Sequence, residues 1–410
     1  MSKLDELIAE LCPDGVEYKP LSEIATITRG GSLQKKDFTE SGYPCIHYGQ
    51  IYTRYGLFTD KTYTFVSEAT ALRQKKAVTG DIVMAVTSEN IEDVCKCVVW
   101  LGNGDVAVSG HTAIIHHNQN PKYLAYYFHS SMFFAQKQKL AHGTKVIEVT
   151  PDKLNGVRVP VPPLEVQREI VRVLDNFTFL SAELSAELSA RRKQYEYYSN
   201  NLFPSVKDKD ISWIELGSVA TVTKLAGFEF TKYVTYSEEG KVIALRGLNV
   251  KNGHLVLDDV KYIDGSDLSM LTRSKLHIGD MLFTYVGTIG QVALVDEEDK
   301  YYLAPNVALV RVNNEYLPKY MMYYFLTDKF RSEQINKLLQ ASSMQNIPME
   351  KIRKFKLPVI DKEEQQHVVA MLDQFDQLCN GITEGLPAEI EARQKQYEYY
   401  RDKLLTFKEL

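Results

Sequence analysis

No run of apolar residues in this chain approaches the ~20 that a membrane-crossing helix needs. Its start, MSKLDELIAELCPDG, is charged and lacks the apolar core of a secretory signal. The expectation is a cytoplasmic protein with no membrane partner. Cysteine is scarce: Cys12, Cys45, Cys95, Cys97 and Cys379 are odd in number, scattered and without a CxxC pair. That excludes a disulfide framework, speaks against a zinc site and leaves reduced thiols as the expectation. Surplus positive charge is also missing. With 48 Lys and Arg against 53 Asp and Glu, the formal charge is -5, which speaks against binding nucleic acid by bulk charge. There is no GxxxxGK[ST] phosphate loop, because Gly240-Lys241 has no upstream glycine at the right spacing. No Asn/Asp-Pro-Pro-aromatic word of an adenine methyltransferase occurs; the one Pro-Pro pair is Pro162-Pro163. A nuclease-like set, Asp280 with Glu298, Asp299 and Lys300, reads better as a charged hairpin turn. His111, His116 and His117 lie on a strand-like run whose alternation keeps neighbours from converging on a metal. The balance favours binding over catalysis.

What the chain does contain is the same plan twice. At 410 residues it exceeds one usual core, so two or three domains are expected. The word KQYEYY occurs at 193–198 and again at 395–400, an offset of 202. LDNF (174–177) matches LDQF (372–375), and VPVPPLEVQ (159–167) matches LPVIDKEEQ (357–365), both at 198. LSEIATIT (21–28) matches LGSVATVT (216–223) at 195, and YLAYYF (123–128) matches YMMYYF (320–325). Repeats of about 200 residues are duplicated domains, not an array.

Each copy opens with Val-, Ile-, Thr- and Tyr-rich segments such as EIATIT, DIVMAVT and CKCVVW, separated by turns and joined by a few helices such as 121–140. This predicts an α/β (α+β) globular part over 1–162 and again over 207–360. Long helical segments follow at 163–206 and 361–410. In the first, an apolar stripe runs through Val173, Phe177, Leu180, Leu184 and Leu188; in the second, through Met371, Phe375, Leu378, Ile382, Leu386 and Ile390. Spacings of three and four suit helices that pack on each other, and an antiparallel pair would give a pseudo-twofold arrangement. The two offsets, 198 and 202, leave the first helix four residues shorter, within the tetrapeptide repeat SAELSAEL (181–188). Two readings of the longer copy stay open: a continuous helix about 6 Å longer, or a break near 381–387. In the second case Gly381 and Gly385 end one helix and Pro387 sits in the first turn of the next.

Split by segment, the excess acid belongs to 361–410, with 6 basic and 11 acidic groups, whereas 1–162 carries 17 of each and 207–360 carries 20 and 19. The globular parts are thus neutral but hold local basic groups. The candidates for contact with DNA are Arg29, Lys35, Lys36, Arg54, Lys75, Lys76 and Lys145 in the first copy, and Lys224, Arg246, Lys251, Arg273 and Lys275 in the second. Gly-flanked members, Arg29-Gly30-Gly31 and Arg246-Gly247, stand out because glycine lets a backbone approach a phosphate or base edge.

With the duplicated α/β domain and long helix in place, the P-x-PP-x-E-x-Q helix start (160–167), the VGTIGQVALV segment (286–295) and the ARRKQYEYY and EARQKQYEYYRDKLLTF helix ends resemble the specificity subunit of type I restriction-modification systems. The resemblance covers nearly the whole chain. The AEL repeat and the LCPDGVEYKPL opening look like the type IC subgroup; the second copy departs in lacking the double proline and in placing Glu364 at an apolar position. The resemblance implies two target recognition domains, each reading half of a split site in double-stranded DNA. It also implies spacer helices that dock two methyltransferase subunits, and restriction subunits that join that core. S-adenosylmethionine, ATP and Mg would belong to those partners, with no cofactor on this chain and no chemistry of its own. Other readings are a specificity chain for a fused nuclease-methyltransferase, a structural coiled-coil adapter, and an enzyme whose motifs are not recognised.

Overall fold

A computed structural model describes the chain except residues 1, 34, 226–229, 231, 314, 341–345 and 382–384. It divides into two compact units, Met1–Leu184 with Glu389–Leu410, and Ser185–Ala388. One 38-residue helix, Leu164–Asn201, supplies residues to both.

In the first unit the strands Ala25–Arg29, Thr112–His117, Ile82–Ala85, Cys97–Trp100 and Phe58–Thr59 form one five-stranded sheet in that order. A second sheet runs Phe38–Thr39, Thr64–Val66, Tyr43–Ile46, Val106–Val108, Lys76–Ala77. The segments IVMA, CVVW and VAV are buried at every position. Their continuous apolar, β-branched character therefore reflects cover on both faces rather than an alternating half-exposed strand. The second unit repeats the frame with Ala220–Lys224, Val307–Val312, Met281–Thr284 and Val292–Leu294 in one sheet. There Ile243–Leu245 lies parallel to Tyr301–Leu303, as Tyr43–Ile46 lies parallel to Val106–Val108.

The words that recur in the sequence prove to be the joints of this frame. Helices Pro121–Phe128 and Pro318–Leu326 each bury six consecutive residues. Each sends a tyrosine and a lysine to one aspartate on a long helix. Tyr126 Oη and Lys122 Nζ both lie 2.7 Å from Asp175; Tyr323 Oη and Lys319 Nζ lie 2.6 and 2.7 Å from Asp373. The buried Gln167 and Gln365 accept from the backbone N–H groups of Asn120 and Leu317 and donate to the carbonyls of Pro162 and Ile360. Where the second copy lacks the double proline, Asp361 caps its helix by accepting from the N–H of Glu364. Replacing Asp373 by Ala strands a buried phenol and an ammonium, and bonds to charged groups are worth about 2 kcal/mol. Thermal unfolding of Asp373→Ala is expected to show a Tm lower by roughly 4–8 °C, with part of the loss recovered in Asp373→Asn; an unchanged Tm would deny the joint its role.

The long helices pair within each unit. Phe177 stacks on Tyr400 with ring centroids 5.4 Å apart, and Phe375 stacks on Tyr198 at 5.5 Å. In the first unit Thr178 and Ser181 border one cleft with Arg401, Tyr397 and Gln394, so the two segments run antiparallel. The stripe needs one correction: Leu180 is 46% exposed, and the inward line passes through Ile170, Leu174, Phe177, Ser181 and Leu184. From Phe177 the next inward position at 3.6 residues per turn is 181, so an apolar letter at 180 misleads. Val173, Leu188, Met371, Leu378 and Ile390 are half-buried and Leu386 is buried; Ile382 lies outside the described residues. The C-terminal segment is two helices, Lys362–Asn380 and Leu386–Leu404. Gly385 adopts φ +108°, where a Cβ would lie 2.5 Å from the carbonyl oxygen of Gln377, and Pro387 follows in the first turn.

Candidate nucleic-acid interface

Register, rather than sequence spacing, identifies equivalent positions in the two units. Ala113 pairs with Arg29 in one first sheet and Ala308 with Lys224 in the other. Ile46 pairs with Val108, and Leu245 with Leu303. The next residues keep the correspondence: Ser109 N–H donates to Ile46 and Ala304 N–H to Leu245. Three loops therefore meet at the same end of both frames: the turn after Ile46 or Leu245, the segment 109–111 or 304–306, and the segment after Ala85 or Thr284. Arg29 and Lys224 close the first strand beside them.

In the first unit this end carries an aromatic series. His47 lies 5.0 Å from Phe38 and 4.6 Å from Tyr48, and Tyr48 lies 4.9 Å from the exposed His111. The Tyr48 N–H donates to Ser109 Oγ, and His111 Nδ1 is 3.1 Å from the Thr87 hydroxyl. Burial, with His111 nearby, holds the His47 pKa below the usual imidazole value. In the second unit the same end is an open cleft of about 480 Å³ bordered by Arg246, Leu248, Tyr236, Thr288 and Asn306. The Arg246 guanidinium is held by Asp259 at 2.8 Å, and its Nε is buried without a partner.

The basic candidates fall into groups. Arg29 is half exposed, pairs with Glu148 at 3.0 Å and donates to the Gly110 carbonyl. Lys75 is exposed and its backbone N would lie 3.1 Å from a Cβ on Gly31, which places it at the same end. Lys145 is exposed in the segment leading to Ile147, which pairs with Ser88. Lys224 is exposed, with Nζ 5.7 Å from the Tyr285 ring centroid. Lys76 and Lys275 occupy equivalent places, opposite Ala107 and Tyr302, and both are ion-paired, to Asp105 at 3.2 Å and Asp299 at 2.5 Å. Lys251 borders a different groove, with Tyr195, His254 and Asp376. Lys36, Arg54 and Arg273 are exposed, and Arg54 packs over Tyr63; Lys35 begins a one-turn 3-10 helix.

The glycines beside Arg29 serve another purpose than an approach to phosphate. A Cβ on Gly30 would lie 2.1 Å from the Ser109 carbonyl oxygen, and one on Gly31 2.0 Å from Gln74 Oε1. The protein's own loops fill that space. Gly247 differs, since a Cβ there would meet only a Thr284 methyl at 3.9 Å.

The acidic set resolves into ordinary pairs: Asp280 with Arg311, Glu298 with His277, Asp299 with Lys275, and Lys300 with Glu297. Its place in the first copy is taken by Asp81 with His116 at 2.6 Å. Among the described residues no three His, Cys, Asp or Glu side chains are grouped to hold a metal, and no helix is long and apolar enough to cross a membrane. All five cysteines are buried free thiols, and burial pushes Cys45 up to about 12.

His47, Tyr48, Leu248 and Asn306 were not legible as candidates from sequence. The offset between copies is 199 at the first of these loops and 195 at the second, so no single alignment of the repeats superimposes them.

Comparison with known proteins agrees with the duplicated frame. The family model described as the type I restriction modification DNA specificity domain matches twice, over residues 13–191 and 209–392. The EcoR124I/EcoR124II type I restriction enzyme specificity subunit of Escherichia coli is 32% identical over 271 residues, 61% of this chain and 63% of that protein's length. A Haemophilus influenzae protein assigned as a type I restriction enzyme specificity subunit is 28% identical over 403 residues, 96% of each chain. Among solved structures, a chain from a study of assembly and conformational transition of the type I R-M system aligns with TM-score 0.62 at 16% identity, covering 96% of this chain and 98% of that one. The type I restriction-modification S subunit of M. genitalium aligns with TM-score 0.52 at 14% identity, covering 95% and 96%. At these identities the likeness is one of fold.

Proposed function

Since the chain belongs to the family defined by the type I restriction-modification DNA specificity domain, we propose that it is the DNA-reading subunit of a methyltransferase and restriction complex. In this reading residues 1–162 and 207–360 each recognise one half of an asymmetric split site in double-stranded DNA, and 163–206 and 361–410 space them and carry partners. The observation that supports it is the repeated loop end on a repeated frame, with different side chains at equivalent places. Two related but unlike readers fit a site with two unlike halves. Arg29, Lys75, Lys145, Lys224 and Arg246 would contact DNA there, and the paired Lys76 and Lys275 would serve the fold. The chain itself would do no chemistry; S-adenosylmethionine, ATP and Mg would be used by the methyltransferase and restriction subunits, in the cytoplasm. Arg29→Ala with Arg246→Ala in the assembled complex is the direct test. Affinity for a methylation-target duplex should fall at least tenfold and the salt dependence should become shallower; unchanged binding would favour a structural adapter.

The word KQYEYY suggests where two identical partners sit. Its first tyrosine packs inward, Tyr397 against Tyr126 at 6.4 Å and Tyr195 near Phe375 at 6.5 Å. Its third stacks on Phe177 or Phe375. The middle one faces outward, Tyr197 at 65% and Tyr399 at 62% exposure, with one edge of its ring against the following tyrosine at 5.5 and 5.3 Å. An exposed tyrosine kept in the same word in both copies suits one methyltransferase subunit docking on each. Tyr197→Ala and Tyr399→Ala should each weaken one of two binding events by about tenfold or more, a hot-spot loss, with Tm unchanged. Calorimetry showing two unaltered sites in the double variant would remove this surface from the interface.

A further inference from the structure

The two loop ends share a scaffold and differ at its tip. After the equivalent strands the first copy has His47-Tyr48-Gly49 and the second Arg246-Gly247-Leu248, while His111 and Asn306 face each turn from equivalent places. The bulky residue shifts by one position between copies, and the local space agrees. A Cβ on Gly49 would be crowded by the His47 ring at 3.3 Å, whereas one on Gly247 would make only an ordinary contact with a Thr284 methyl at 3.9 Å. Leu248 is 50% exposed and borders the cleft, where its side chain is free to meet a ligand. Arg246, next to it, has its guanidinium fixed by Asp259, so few rotamers are lost on binding.

We propose that these turns are the specificity determinants of the two domains, and that Arg246 and Leu248 read adjoining base pairs, a guanine and a thymine, in one half of the site. With Nη2 committed to the backbone carbonyl and carboxylate of Asp259 and Nε buried, Nη1 is the group left to donate to the O6 and N7 acceptors of guanine in the major groove. A neighbouring apolar side chain gains from the thymine methyl and loses against an edge that offers only polar groups. The first copy has neither group at these places, so its half-site is set by the imidazole and phenol groups of His47, Tyr48 and His111. The proposal rests on the DNA-reading role proposed above.

The test uses the full chain assembled with its methyltransferase subunits in a methylation-free bacterial host, and maps methylated bases across that host's genome. Leu248→Gly should relax preference at one thymine of the recognised sequence, and Arg246→His at an adjoining guanine. Each relaxation should amount to about tenfold to a hundredfold at that position. His47→Arg should alter the other half alone. The rest of the motif and the gap should stay as in the natural complex. An unchanged motif in the two second-copy variants overturns the assignment. So does a uniform loss of methylation by complexes that still assemble, since that marks general grip on DNA. Leu248 is exposed, so its variant folds and decides the matter should Arg246→His not assemble. Failure of the broader role looks different: the natural complex would then methylate without any motif that depends on this chain.

Discussion

Replacing residues 1–162 with the corresponding domain of another family member is expected to change one half of the recognised sequence and nothing else. The first-copy loop end is built from its own strands: the Arg29 strand pairs with Thr112–His117, and the turn at His47 is held by Ser109. These pairings all lie within residues 25–117. The joint to the long helix consists of groups found in both copies, Tyr126 and Lys122 on Asp175, and Gln167 on the Asn120 N–H. A transplanted domain that keeps the equivalent tyrosine and lysine, and a free backbone N–H for the glutamine, should dock in the same way. Mispaired half-sites differ at several bases, each costing about 1–3 kcal/mol. The exchange should therefore abolish methylation of the original sites and create a new set with the other half and the gap retained. A hybrid whose motif changes in both halves would contradict independent readers.

The second large effect concerns the gap. Inserting Ser-Ala-Glu-Leu after Leu188 adds one more unit to a tetrapeptide repeat within the 38-residue helix Leu164–Asn201, between Phe177 and Tyr198. Four residues lengthen a helix by about 6 Å and turn it by only a little more than one full revolution. The helix face is thus nearly kept while its length grows by less than two base-pair rises of about 3.4 Å each. The expected outcome is a motif with both halves intact and a gap longer by one or two base pairs, and methylation of the original sites reduced a hundredfold or more. The partner segment is two helices, one ending at Asn380 and the next starting at Leu386, so it is not held to one continuous helical length. A gap of unchanged length in a complex that still methylates would show that the helix does not set the spacing.

Much of this organisation was legible in the sequence because repetition is robust to local error. KQYEYY, LDNF/LDQF and the two glutamines at 167 and 365 mark joints with the same contacts in both units, so their recurrence carried structural meaning before any contact was known. At 381–387 the sequence left a continuous helix and a break both open; the structure has two helices, with Gly385 at positive φ and Pro387 in the first turn of the second. Leu180 misled because an apolar residue one position off a helical stripe still fits a three-or-four spacing. The reading ends were the least legible. Charge drew attention to Lys76 and Lys275, which the structure commits to Asp105 and Asp299, and to the glycines beside Arg29, which make room for the chain's own carbonyl and amide. The residues that distinguish the two tips are an imidazole, a phenol, a leucine and an asparagine. None has a distinctive spacing, and only strand register shows that they stand in equivalent places.

The net charge of -5 is compatible with this account, because the excess acid lies in 361–410 and the globular parts are near neutrality. If partner subunits share the grip on DNA, as proposed, this chain needs to supply discrimination, which comes from base edges rather than phosphate.

The most direct measurement is a genome-wide map of methylated bases made by the natural chain together with its methyltransferase subunits in a methylation-free host. The account predicts one asymmetric motif of two short specific halves separated by a gap of fixed length, lost when this chain is omitted. A continuous or palindromic motif, or the same methylation without this chain, would contradict it.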